Sequence, residues 1–191
     1  MIKLPRKRFE TTFGDSKHDF FKLCRVPIWK IQRVLTFLSI LFIMDNLLGT
    51  HSPQDIFDIR KCCFEKLGPA QLERLNVLVQ TRPILLEGDF YPRATSQNGI
   101  DYILPTDAEL PEHKVIAWSR VLDGREVLCA INLAGDHAVI FATIDDDLHE
   151  VNSRMRCLYA SDLSPAELNV EVRNGKSIRL TIPPHALVIY E

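Results

Sequence analysis

Six histidines (His18, His51, His113, His137, His149 and His185) and five cysteines (Cys24, Cys62, Cys63, Cys129 and Cys157) are the residues with which this chain could hold a metal or supply a nucleophile. The histidines are scattered, and none has metal-ligand spacing to a partner. No CxxC pair occurs, and the adjacent Cys62-Cys63 lacks a second ligand pair, so it reads as structural. Cys129 and Cys157 sit in apolar runs, where a thiol behaves as a small hydrophobe. Asp145-Asp146-Asp147 offers three carboxylates to calcium, but adjacent ligands do not match the alternating positions of a calcium loop. A solvated turn is the expected reading. Phosphate-cradling glycine loops, HExxH and GxSxG are all missing. No catalytic residue, metal ligand or cofactor is therefore expected.

Two further chemistries concern sugars. Glycoside hydrolysis needs two carboxylates held at a set separation in a rigid site. Asp and Glu are plentiful, but the chain has no run of alternating strands and helices that would place them at the ends of barrel strands. Trp118, Tyr91 and Tyr159 could stack on a sugar ring, although a Trp in mid-strand more often belongs to the core.

The elements that would position these groups fall into three parts. Residues 1–50 form a basic head and an apolar stretch, expected to be helical. Residues 51–107 open on SPQD (Ser52 to Asp55), with an N-cap Ser, Pro at the first helical position and an acid at N3. A second helix begins near Pro69, carries Leu72, Leu75, Val77, Leu78 and Val79 on a broad stripe, and ends at Pro83. Phe90 to Pro105 reads as short extended pieces and turns. Residues 108–191 are strand-rich: KVIAWSRVL and REVLCAINL flank Asp123-Gly124, a two-residue hairpin signal. HAVIFATI, MRCLYAS, LNVEV, KSIRLTI and HALVIYE follow. The expected fold is α+β: N-terminal helices, then an antiparallel β-sandwich of Greek-key type with about seven or eight strands.

The first hairpin is apolar on both faces. Val115 and Ala117 alternate with Ile116 and Trp118, and Leu128 and Ala130 alternate with Val127, Cys129 and Ile131. One face can line a sandwich interior. The other needs a neighbouring domain or the preceding helices, or it remains a sticky patch.

The 191 residues carry a formal net charge of −2, with 46% hydrophobic and 25% charged residues, which is ordinary for a globular protein. That balance hides a basic head: up to Arg33, nine basic residues face three acidic ones. Such a head can meet nucleic acid or anionic lipid, yet more often it is a solvated arm. No nucleic-acid partner is expected. VLTFLSILFIM (Val34 to Met44) is too short to span a bilayer, which takes about 20 apolar residues. A buried helix is expected, with a membrane-associated helix as the runner-up. The cysteine usage points to a reducing, cytoplasmic setting.

From Leu72 to Glu191 the chain resembles the α-amylase-type glycoside hydrolases of the TIM-barrel clan. VQTRPILLEGDFYPR, with Arg82, Pro83, Ile84, Leu85, Gly88, Phe90 and Tyr91, is similar to the family's last barrel helix and exit strand. HKVIAWSRVLDGREVLCAINLAG, with Trp118, Arg120 and Asn132, is similar to the first hairpin of its C-terminal sandwich. LHEVNSRMRCLYASD and SIRLTIPPHALVIYE resemble the middle and closing strands. The resemblance implies a C-terminal module whose partner is an α-glucan or a catalytic barrel that this chain does not contain. The family's catalytic carboxylates lie upstream on barrel strands, so the chain is expected to start after them and to be inactive alone. The alternative is a non-catalytic carbohydrate-binding module.

Overall fold

The structure, a computed structural model, describes residues 67–104 and 114–191. These residues fall within one compact unit, Leu38–Glu191. The basic head, the run Val34 to Met44, the helix start at Ser52 and the pair Cys62-Cys63 lie outside the described residues. Among the described residues, no helix is long and apolar enough to cross a membrane.

Helix α1 (Pro69–Thr81) starts with proline at its first position and follows Gly68. Gln71 reaches back to the Gly68 N–H at 2.8 Å, satisfying a donor that the helix leaves free. Leu72, Leu75 and Val79 are buried, three and four residues apart on one face. Val77, expected on the apolar stripe, is instead half-exposed. Its position points away from the sheet that the other three cover. Pro83 ends α1 and also opens a second short helix, α2 (Pro83–Glu87), which buries Ile84 and Leu85.

Nine strands follow: β1 (Asp89–Arg93), β2 (Thr95–Ser96), β3 (Val115–Leu122), β4 (Arg125–Asn132), β5 (Ala138–Thr143), β6 (Arg154–Ala160), β7 (Glu167–Val172), β8 (Lys176–Ile182) and β9 (Leu187–Tyr190). They form one antiparallel sheet in the order β1-β3-β4-β9-β6-β7-β8-β5-β2. The mostly-sheet α+β reading holds, and the order 6-7-8-5 is a Greek key. Strands β3 to β9 stand where the alternation placed them. β1 and β2 raise the number to nine, and they come from the stretch expected to hold short extended pieces.

The sheet folds into two layers at two corners. At the first, β1 pairs with β3, and the same segment continues past Ala94 to pair with β5. At the second, β6 pairs with β7 through residues 154–156 and with β9 through residues 157–160, with an irregularity between Cys157 and Tyr159. A bulge lets a strand bend from one layer into the next. Both two-residue hairpins have positive φ at each central residue, 50° and 71° at Asp123-Gly124 and 47° and 84° at Asn174-Gly175. That is the conformation asparagine, aspartate and glycine tolerate best.

The alternation sorts the core into two clusters. Val115, Ala117, Leu128 and Ala130 pack between the layers with Ile140, Ile178, Leu180 and Val188. Ile116, Trp118, Val127, Cys129 and Ile131 face outward and pack under Leu72, Leu75, Val79, Ile84 and Leu85 of the helices. The outer face of the first hairpin is thus covered by α1 and α2.

Candidate functional site

Among the described residues, a cluster of charged groups lies at the first corner, around a glutamate buried inside the sandwich. Glu126 stands on β4 at the same parity as Leu128 and Ala130, so it points between the layers. Its side chain is fully buried. Oε1 accepts from Arg93 Nη2 at 2.6 Å and from the Ser119 hydroxyl. Oε2 accepts from the Asp145 N–H at 2.9 Å and lies 2.8 Å from His149 Nε2. Arg93 also donates to Ser119 Oγ at 2.8 Å and passes 3.7 Å from Asp145 Oδ2. Burial alone would raise the pKa of Glu126. The hydrogen bonds from His149, Ser119 and the Asp145 N–H, with the charge of Arg93, outweigh it and hold the carboxyl below its ordinary value. Perturbed carboxylates mark functional sites and structural ion networks alike. This one has every acceptor position engaged and Ser119 wholly buried, so it reads as structural.

The turn after β5 belongs to that cluster. Asp145 Oδ1 accepts from the Asp147 and Leu148 N–H groups, 3.0 and 3.2 Å away. Asp146 Oδ1 accepts from the Lys176 N–H at 2.6 Å, and the Lys176 ammonium donates to the carbonyls of Asp146 and His149. Asp145 and Asp146 are thus turn-forming residues. Among the described residues, no group of three or more His, Cys, Asp or Glu is placed to hold a metal ion.

Among the described residues, two open clefts stand out on the surface. One, of about 440 Å³, is lined by Gln97, Lys114 and residues 133–140, with Asp136 as its carboxylate. Its wall is organised by Asn132, whose amide donates to the carbonyls of Asp136, Ile182 and Pro183 at 2.8, 3.1 and 3.0 Å. Its oxygen accepts from the Ala134 N–H at 2.9 Å. The other cleft, of about 310 Å³, lies between the start of α1 and the loops beside it, with Asp162 as its carboxylate. Among the described residues, Asp136 is the carboxylate lining the first cleft and Asp162 the one lining the second.

The three aromatic residues expected as sugar platforms are not brought together. Trp118 is 0% exposed and Tyr159 2%, both in the cluster beneath the helices. Neither ring has a face open to a ligand, which corrects the expectation for these two. Their apolar area serves the packing of α1, and the Tyr159 hydroxyl donates to the Gln71 carbonyl at 3.3 Å. Tyr91 is 45% exposed, with the Arg93 guanidinium 5.7 Å from its ring centre. Cys129 is fully buried, which pushes its thiol up to about 12. The Glu126 cluster escaped the sequence reading, since its members come from separate elements. The available signal was a charge and a hydroxyl, Glu126 and Ser119, at the same parity as Leu128 and Ala130 and as Val115 and Ala117.

No family model matches the chain, and no curated protein matches it. Solved structures similar to it include a debranching enzyme from Nostoc punctiforme, at 21% identity and a TM-score of 0.42, covering 62% of this chain and 20% of that one. An α-amylase from H. orenii shows 17% identity and a TM-score of 0.41, covering 64% of this chain and 20% of that one. A trehalulose synthase shows 19% identity and a TM-score of 0.39, covering 62% of this chain and 17% of that one. The chain thus matches a small part of α-amylase-type enzymes and spans about 20% of the length of the first two.

Proposed function

We infer that this chain serves as a non-catalytic sandwich module of an α-amylase-type glycoside hydrolase. In that role it stiffens and flanks the barrel that acts on an α-glucan. The observation that carries the reading is the union of α1, α2 and the sandwich through one apolar cluster. The sequence resemblance makes α1 the last barrel helix and β1 the exit strand. A helix shared by barrel and sandwich would fix the two rigidly, because Leu75 and Val79 are fully buried against the sheet. The engaged Glu126 fits a supporting role. A maltooligosaccharide hydrolysis assay on the purified chain tests this. Product release equal to a buffer blank is expected, and turnover clearly above it would overturn the reading.

One observation favours a second reading, a carbohydrate-binding module: Tyr91 leaves much of its ring open beside Arg93. Affinity electrophoresis in soluble starch separates the two. Retardation that disappears in Tyr91→Ala supports binding, and unchanged mobility of the wild type rejects it.

A further inference from the structure

The two oxygens of Glu126 hold different parts of the molecule. Oε1 holds the corner segment through Arg93 and the first layer through Ser119. Oε2 holds the turn that follows β5 in the second layer, through the Asp145 N–H and His149. The corner is in turn tied to β5: the Thr143 N–H donates to the Ala94 carbonyl at 2.9 Å, and the Ala94 N–H to Thr143 Oγ1 at 3.0 Å. The turn is tied to β8 by the three contacts of Lys176. One carboxylate therefore joins the corner, both layers and the turn at a single end of the sandwich. The cluster between the layers, including Ile140, Leu180 and Val188, is built of apolar side chains.

We propose that Glu126 is a proton-operated latch: adding a proton to its carboxylate frees the turn Asp145–His149 and the Arg93–Ala94 corner while the two apolar clusters stay closed. A carboxylate accepts at both oxygens, whereas a carboxylic acid must turn one of them into a donor. A proton on Oε2 is set against the Asp145 N–H, and one on Oε1 against the Arg93 guanidinium, so either site places a donor beside a group that can only donate. The charged and titratable groups facing Glu126 are Arg93 from β1 and Asp145 and His149 from the turn, with Lys176 of β8 holding the turn from behind.

The direction follows from linkage. The carboxyl is held below its ordinary value of 4.5 in the closed form. The latch is therefore fully set above that value. It weakens as pH falls below it, by up to tenfold in the open-to-closed ratio per pH unit, and levels off once Glu126 is protonated in the closed form.

The experiment is hydrogen exchange on the full chain across an acid series, with rates corrected for intrinsic pH dependence. A parallel NMR titration follows the Glu126 carboxyl. The expected result is a progressive loss of protection at the Thr143, Asp145 and Leu148 amides, tracking the Glu126 titration. The amides of Cys129 and Ile189 keep theirs. In Glu126→Gln the turn amides should lose at least tenfold protection already at neutral pH, with little further response to acid. Should that variant fail to fold, the wild-type series alone decides. Simultaneous loss at turn and core amides, or turn protection unchanged across the Glu126 titration, would overturn the latch.

Discussion

Asn132 ends β4 with its amide spanning two loops, donating to three carbonyls at once. It is fully buried. Asn132→Ala should therefore cost at least about 2 kcal/mol, since each buried polar group left unpaired costs roughly 1–3 kcal/mol. Asn132→Asp should cost more, because an acceptor oxygen would then face carbonyl oxygens. Urea denaturation of both variants checks the order. Arg93→Met strips the buried carboxylate of its cation and should cost about 3 kcal/mol at neutral pH. Glu126 has a lowered pKa in the fold, so its stabilising share exists above the ordinary carboxylate range and fades as pH falls through its own titration. The gap between Arg93→Met and wild type should narrow in the same direction, as denaturation at a series of acid pH values will report. Cys129, its thiol pushed up to about 12 by burial, should resist alkylation at neutral pH until the protein unfolds. Peptide mapping after timed labelling would show it otherwise. Of these residues, Asn132 was visible in the sequence only as a strand's last position. Glu126 stands 33 residues from Arg93 and 23 from His149, and no local spacing links partners brought together by a corner.

At the scale of elements, α1 was legible because its apolar residues recur at helical spacing between two prolines. β3 to β9 were legible because alternation and turn residues agree on each boundary. The short helix α2 was not. Five residues are too few to show a helical period, and Pro83 signals a stop and a start with equal force. β1 was obscured by Pro92, which it tolerates as an edge strand pairing on one side only. The joint between α2 and β1 is tight. A Cβ added at Gly88 would lie 2.5 Å from the Ile84 carbonyl oxygen and 3.1 Å from that of Val121. Gly88→Ala should therefore lower the melting temperature by forcing backbone apart. Leu75→Ala in α1 should cost about 2–5 kcal/mol as a buried cavity. If either matches wild type in thermal denaturation, the helix layer is less firmly seated than its burial indicates.

The whole molecule answers what the sequence posed as a question about the first hairpin's second face. That face is an interior, shared between the sheet and the helices. Removing residues 69–87 should expose Ile116, Trp118, Val127 and Ile131 together. A patch of that kind promotes association, and gel filtration should show larger species than the intact chain forms. The order of the strands carries one more consequence, which concerns time. Among the described residues, β9 is the strand that bonds β4 to β6, and so closes the seam at that side of the sheet. As the chain emerges during synthesis, β3 and β4 can form their hairpin early, and β7 and β8 theirs. The seam between β4 and β6 cannot close until Leu187–Tyr190 has been made. For that interval the edges of β4 and β6 that β9 joins are without this partner strand. β9, last of the nine strands in chain order, thus sets how long that seam stays open.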